Sequence, residues 1–403
     1  MHSPAGQVVI APDKFKGSLT ATEVAARVAA GLRRAVPGIT TVELPVADGG
    51  DGTVDAAVAA GYERVEAEVS GPDGQRVTAA FARKDGTAVI EAAQACGLAL
   101  QQSLAGGRLA PLTATSRGAG ELIGHAIDAG ARRIVLGLGG VATNDGGAGL
   151  VQALGARLLD DAGQDLPPGG AALARLAKID LSGLRDLSGA EFAVASDVDN
   201  PLLGRNGAAA VYGPQKGASA HDVRILDAAL ERWADVAEAI VGRGARDEPG
   251  AGAAGGLGFA SLLFLRARAR PGIELLLDML GFAAHLDGAS LVITGEGSVD
   301  EQTLRGKAPA GVARAAAAHS PPVPVVAVCG VCSLSDAQLR AAGITAAYAL
   351  SDLEPDTARS IAGAGPLTET LSARIAAEWN RKPPGTLQTA MIRSLIAERP
   401  RRS

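Results

Sequence analysis

Residues 41–61, TVELPVADGGDGTVDAAVAAG, run from a short β-branched strand through a loop of glycines and carboxylates into an alanine-rich helix that stops at Gly61. Asp48 and Asp51 lie on the turn. Glycines at 49, 50 and 52 permit positive φ and close backbone approach to a ligand, and the two carboxylates can accept a proton or hold a cation. Alone, the stretch is explained equally well as a tight strand-to-helix turn. Recurrence tips the balance towards function: residues 144–149, NDGGAG, carry a similar cluster, and three more Gly/Asp turns follow apolar strands.

Strand, loop and helix also open the chain. Val8–Ala11 is a short apolar strand ending at Pro12, DKFKGS is its loop, and Thr20 with Glu23 forms a capping box for a helix whose apolar face is at 24, 25, 28, 29 and 32. The alternation returns late: Leu291–Thr294 precedes the loop GEGSVDEQT and a helix over Pro309–Ala318. Val323–Val328 precedes CGVCSLSD and another helix, and Ala346–Leu350 is a last strand. Five such strands fit a flavodoxin-like parallel sheet of order 2-1-3-4-5.

Between residues 64 and 286 the pattern is mixed. Val65–Val69, Val77–Ala82 and Ala88–Ile90 read as an antiparallel meander, followed by a helix from Arg117 to Ala129, a strand Arg133–Leu138, a hairpin over Arg157–Leu166 and a strand Phe192–Ala195. At 403 residues the chain exceeds the usual single core. The expected architecture is α/β with two domains: residues 1–63 and 287–380 form the flavodoxin-like one, 64–286 an inserted mixed-sheet α/β domain, and 381–403 a peripheral tail.

A net charge of −5, with two Trp, three Tyr and six Phe, gives neither the basic surface nor the stacking groups that nucleic-acid binding needs. The apolar run before Pro12 is too short for a signal core, and the stretch 259–282 is broken by Arg266, Arg268 and Arg270, so a soluble cytoplasmic protein without membrane contact is expected. Cys329 and Cys332 form a C-x-x-C pair with no second ligand pair for zinc, which favours strand-end packing.

In a 2-1-3-4-5 sheet the ligand crevice lies outside the carboxyl ends of strands 1 and 3. Those ends carry DKFKGS and GEGSVDEQT, and strand 2 delivers PVADGGDGT to the same rim. Asp13, Lys14, Lys16, Asp48, Asp51, Glu296 and Asp300 would gather there. Phosphoryl transfer to a hydroxyl needs cations on phosphate oxygens, carboxylates for a metal, backbone N–H groups near the phosphates and a carboxylate to position the alcohol. Lys14, Lys16, Lys216 and Lys307 are the candidate phosphate contacts. Asp197 and Asp199 in SDVDNPLLG, two carboxylates at i and i+2 beyond a strand, are candidate metal ligands, a plain turn explaining them equally well, and Ser116 reads as a helix cap. No Walker A motif is present; Gly137, Gly139 and Ala142 match G-x-G-x-x-A, which leaves an NAD-dependent hydroxy-acid dehydrogenase as the runner-up.

Taken together, APDKFKGSLTATEVA, PVADGGDGT, ATSRGAGELI, GLGGVATNDGGAG, SDVDNPLLG, GPQKGA, GAAGGLGF, ITGEGSVDEQTLRGKAP and VVAVCG resemble the bacterial type I glycerate kinases, in order from Val8 to about residue 380. The resemblance implies an enzyme that uses ATP and Mg2+ to phosphorylate D-glycerate to 2-phosphoglycerate in a cleft between two domains, with 3-phosphoglycerate the alternative product and a homodimer left open. Combined with the chemistry above, it makes Asp48, Asp51 and Lys14 the catalytic candidates. Nucleotide contacts would come from Lys16, Gly17, Ser18, Gly295, Gly297, Ser298 and Lys307. Arg117, Asn144, Asp145 and Lys216 would contact substrate, and Asp197, Glu296 and Asp300 the metal.

Overall fold

A computed structural model describes residues 6–380. Thirteen strands occur among the described residues: β1 Gln7–Pro12, β2 Thr41–Glu43, β3 Glu63–Ser70, β4 Arg76–Lys84, β5 Thr87–Glu91, β6 Arg133–Gly137, β7 Arg157–Leu159, β8 Lys178–Asp180, β9 Glu191–Ala195, β10 Arg268–Arg270, β11 Ala289–Val299, β12 Val325–Cys332 and β13 Ala346–Ala349. The described residues divide into two compact units, 6–47 with 277–380 and 48–276.

The first unit holds a sheet of order β13-β12-β11-β1-β2, parallel throughout. Numbered within the sheet, this is the 2-1-3-4-5 order of the flavodoxin-like fold. Val8, Val9, Ile10 and Ala11 are all buried, as expected for a parallel strand covered on both faces. The Thr20 hydroxyl accepts from the Glu23 N–H at 3.2 Å while the Glu23 carboxylate accepts from the Thr20 N–H at 2.8 Å. That box starts the helix Ala21–Ala35, whose buried face of Val24, Val28 and Leu32 joins Ile10, Ile293 and Val328 in one core.

The second unit holds a six-stranded sheet, β10-β9-β6-β5-β4-β3. The expected meander is there, β3–β4 and β4–β5 being antiparallel, and β5, β6, β9 and β10 continue it in parallel. Trp233 anchors the core; its indole donates to the Gly146 carbonyl at 3.0 Å and stacks on Phe264.

Some expectations shift. The helix Thr53–Ala59 was expected in the flavodoxin-like part, but it packs on β4 and β5, so the first boundary falls between Ala47 and Asp48 rather than after residue 63. The second falls between Leu276 and Leu277 rather than after 286. The hairpin within 157–166 forms, with Leu159 and Asp165 bridged antiparallel and the Leu166 N–H donating to the Leu158 carbonyl at 2.8 Å, and β7 pairs in addition with β8. GEGSV is not loop: β11 runs on to Val299 and stays paired with β12 as far as Cys332. The tail 381–403 lies outside the described residues.

Candidate active site

In the second unit, the turn after Asp48 meets the carboxyl ends of β6 and β9. Gly49 has φ +89°, and a β-carbon there would stand 2.7 Å from that of Ala195. A β-carbon on Gly272 would stand 1.9 Å from the Asp48 carbonyl oxygen. Both positions therefore require glycine, one for conformation and contact, the other for contact alone.

These approaches frame a pocket of about 260 Å3 lined by Asp48, Asp197, Tyr212, Gln215 and Lys216. Asp48 is half-buried and its Oδ1 accepts from the Gly50 N–H at 3.3 Å. Asp197 Oδ1 accepts from the Gly272 N–H at 3.1 Å. Lys216 is 3% exposed, and its Nζ donates to the Thr143 carbonyl at 2.7 Å. Burial lowers the ammonium to about 8, against opposing fields from Cys96 and Asp145. A cation that has lost its hydration gains most from an anionic partner.

Behind this pocket sits Asp145. Its Oδ2 accepts from the Ser116 N–H and hydroxyl at 2.8 and 2.9 Å and from the Gly149 N–H at 3.2 Å, while Oδ1 accepts from the Gly147 N–H at 3.2 Å. Burial nonetheless pushes its carboxyl up. The Ser116 hydroxyl also accepts from the Leu150 N–H at 3.0 Å. Ser116 thus precedes the helix Arg117–Asp128 without capping it by its side chain, and ties together two other turns instead. Thr143 Oγ1 and Asn144 Oδ1 are buried without a hydrogen-bond partner.

Asp48, Asp197 and Lys216 are therefore gathered, whereas Asp51, Arg117, Asn144 and Asp145 do not line this pocket. Asp51 is exposed. Arg117 donates through Nε to Glu121 at 3.2 Å. Tyr212 and Gln215, which the sequence reading did not single out, complete the pocket; GPQKGA was the available signal. Glu91 was also missed: buried at the end of β5, it accepts from the Val54 N–H at 2.6 Å and its carboxyl is raised by burial.

In the first unit, the Asp13 N–H donates to the Gly295 carbonyl at 2.8 Å and the Lys14 N–H to Asp13 Oδ1 at 2.7 Å. The chain then doubles back through Lys16, Gly17 and Ser18, with Phe15 bridging Leu19. Glu296 is largely buried; it accepts from the Thr303 hydroxyl and lies 3.6 Å from Lys307 Nζ. Asp300 accepts from the Gln302 N–H at 2.8 Å and the Ser298 hydroxyl at 3.2 Å, and that backbone bond leads in holding its carboxyl below the usual range. Lys307 stands at the start of the helix Ala308–Ala318. Among the described residues no three His, Cys, Asp or Glu side chains converge on a metal position.

The segment after β6 does not suit a dinucleotide. Its next helix begins at Ala148, beyond the NDGG turn, so Gly137, Gly139 and Ala142 do not open a helix as the G-x-G-x-x-A fingerprint requires.

The sequence pattern of the glycerate kinase family matches residues 8–380. The glycerate kinase of Bacillus subtilis (strain 168) is 48% identical over 348 residues, which is 85% of this chain and 90% of that one. The glycerate 2-kinase of Escherichia coli (strain K12) is 48% identical over 322 residues, 79% of this chain and 84% of that one. The crystal structure of a protein assigned as glycerate kinase 2 of Salmonella typhimurium LT2 superposes with a TM-score of 0.82 at 43% identity, covering 93% of this chain and 98% of that one. With family, relatives and fold in agreement, this chain belongs to the glycerate kinase family.

Proposed function

We propose that the chain transfers the terminal phosphoryl group of ATP to the 2-hydroxyl of D-glycerate, giving 2-phosphoglycerate and ADP. The observation that carries the acceptor half of this reading is the small pocket that sets a buried ammonium, Lys216, together with Asp48 and Asp197. Glycerate is a short chain with one carboxylate and two hydroxyls, and a pocket of this size with charges of both signs suits it. The carboxylate pairs with Lys216, and Asp48 orients the reacting hydroxyl and takes its proton as the phosphoryl group arrives. A weak base suffices because a loose transition state demands little early proton removal.

The nucleotide half draws on the other unit. Lys14, Lys16 and Lys307 neutralise phosphate charge, and the backbone around Gly17, Ser18, Gly295, Gly297 and Ser298 offers N–H groups. Asp51, Arg117, Asn144 and Asp145 act at a remove from the acceptor, Asp145 by holding the NDGG turn. Magnesium usually takes only one or two protein carboxylates and completes its shell with water and phosphate, a need that Asp197, Glu296 and Asp300 have the chemistry to meet. The ion would supply positive charge to the phosphate oxygens. The enzyme works in the cytoplasm, as a monomer or homodimer, without nucleic acid.

Phosphorus NMR of a reaction containing D-glycerate, ATP and Mg2+ tests the reading. A 2-phosphoglycerate resonance with matching ADP is expected; 3-phosphoglycerate would overturn the assigned oxygen, and ATP left intact would overturn the reaction.

A further inference from the structure

We propose that the second unit carries another small-molecule site, a groove that runs from the amino ends of β6 and β9 along β10, binds a phosphate-bearing anion and alters the acceptor pocket when filled. The kinetic half of this proposal rests on the acceptor reading above; the binding half does not.

The groove has a volume of about 570 Å3, within the range of small-molecule sites. Arg133, Arg266, Arg268 and Arg270 line it, and Glu191 is the one carboxylate among its described residues. Arg133, Arg266 and Arg268 alone outnumber that carboxylate three to one. Arg133 and Glu191 are register partners where β6 and β9 begin. The acceptor pocket lies at the other ends of these strands. Arg268 and Arg270, two residues apart on β10, share a face. Among the described residues, no ion pair joins Arg133, Arg266 or Arg268 to a carboxylate.

Charges on an edge strand commonly serve to discourage pairing with another chain, and β10 is an edge. That accounts for Arg268 and Arg270 but not for Arg133, on the interior strand β6, or Arg266, which precedes the edge. Arg266 is the more telling. It follows the last residue of the helix Ala253–Phe264 by two positions and has φ +53°, a conformation that glycine adopts freely and that costs other residues about 1–2 kcal/mol. An arginine at that position gives up local stability, and a bound anion offsets the loss. The planar guanidinium matches phosphate oxygens two at a time, so a phosphate ester or diphosphate is the ligand class that Arg133, Arg266 and Arg268 select.

The route to the acceptor pocket is short. The Ser196 N–H donates to the Arg270 carbonyl at 3.1 Å. Two residues on, Gly272 donates to Asp197 and packs on the Asp48 carbonyl. Any shift of β10 on anion binding reaches both pocket carboxylates through this segment.

The test uses the full chain and the double variant Arg266→Gly/Arg268→Thr. The first change relieves the left-handed residue and the second suits an edge strand, so the thermal midpoint should not fall. Inorganic pyrophosphate is titrated calorimetrically with ADP saturating, so that a nucleotide site is already filled. The variant should bind at least about tenfold more weakly, having lost two bidentate partners, and pyrophosphate should change the glycerate KM at saturating ATP in the parent alone. Equal affinity in the two proteins, or no binding by the parent, overturns the site. Binding lost in the variant with the parent's KM unmoved overturns the link to the acceptor pocket. Failure of ADP to bind would count against the nucleotide reading while leaving the comparison of the two proteins intact.

Discussion

Lys216 Nζ donates a 2.7 Å hydrogen bond to the carbonyl of Thr143, so a buried ammonium is held by a neutral partner at the edge of the acceptor pocket. Its proton leaves near pH 8, below the ordinary 10.5, because burial penalises the charge. As the ligand of the glycerate carboxylate it is effective only while charged. The glycerate KM should therefore rise as pH climbs through about 8, with kcat less affected, and Lys216→Met should have a raised KM already at pH 7. A flat KM from pH 7 to 9.5 would remove Lys216 from the substrate.

The same group makes a stability prediction of defined sign. Between about 8 and 10.5 the unfolded chain holds a proton that the folded chain has released. Stability carried by this group should therefore increase with pH across that window. Comparing urea midpoints of parent and Lys216→Met from pH 7.5 to 10 isolates it; a difference between the two that does not change with pH would reject the lowered proton affinity.

Asp48→Asn keeps size and the contact to the Gly50 N–H but removes the charge that accepts the hydroxyl proton. A fall in kcat of about two orders of magnitude, the usual scale of a lost general base, is expected with an unchanged circular dichroism spectrum. Turnover near that of the parent would show that another group positions the alcohol.

Gly272→Ala tests the close approach. Its β-carbon would lie 1.9 Å from the Asp48 carbonyl oxygen, so backbone must move, at a cost of about 1–3 kcal/mol. A lower urea midpoint and a raised glycerate KM should appear together, since the displaced backbone carries Asp48.

Asp145→Ala should be the most destabilising of these changes. It strands four donors from Ser116, Gly147 and Gly149 in a dry interior, and leaving buried donors unsatisfied costs about 2–4 kcal/mol in all. A melting temperature equal to the parent's would mean that the NDGG turn does not depend on this carboxylate.

Much of the fold was legible because the signals were local and strong. The Thr20–Glu23 box, the doubly buried Val8–Ala11 run and the alternation after residue 287 specify parallel strands and helices without reference to the rest of the chain. The carboxylate-and-glycine turn at 48–52 could likewise be recognised as a close approach. Where it goes was not legible, because the helix Thr53–Ala59 has an apolar face that either sheet could cover. Its choice of β4 and β5, aided by the bond from Val54 to the buried Glu91, is a tertiary outcome. Ser116 shows the same limit: its place before a helix was readable, but its hydroxyl answers to Asp145 and Leu150, which lie 29 and 34 residues away. GEGSV reads as a loop because its glycines and charges mask a strand extension that depends on pairing with β12.

The contact of Gly272 with Asp48 has a further meaning for how the chain is strung. Asp48 is the first residue of the second unit and Gly272 lies within about one helical turn of its last, Leu276. The excursion thus returns almost to where it left. To the parallel sheet that contains β1 and β11, the whole second unit is a loop already tied at its neck, so the entropy of closing so long a connection is met by the unit's own folding. The neck itself cannot change, and it is there that Asp48 stands.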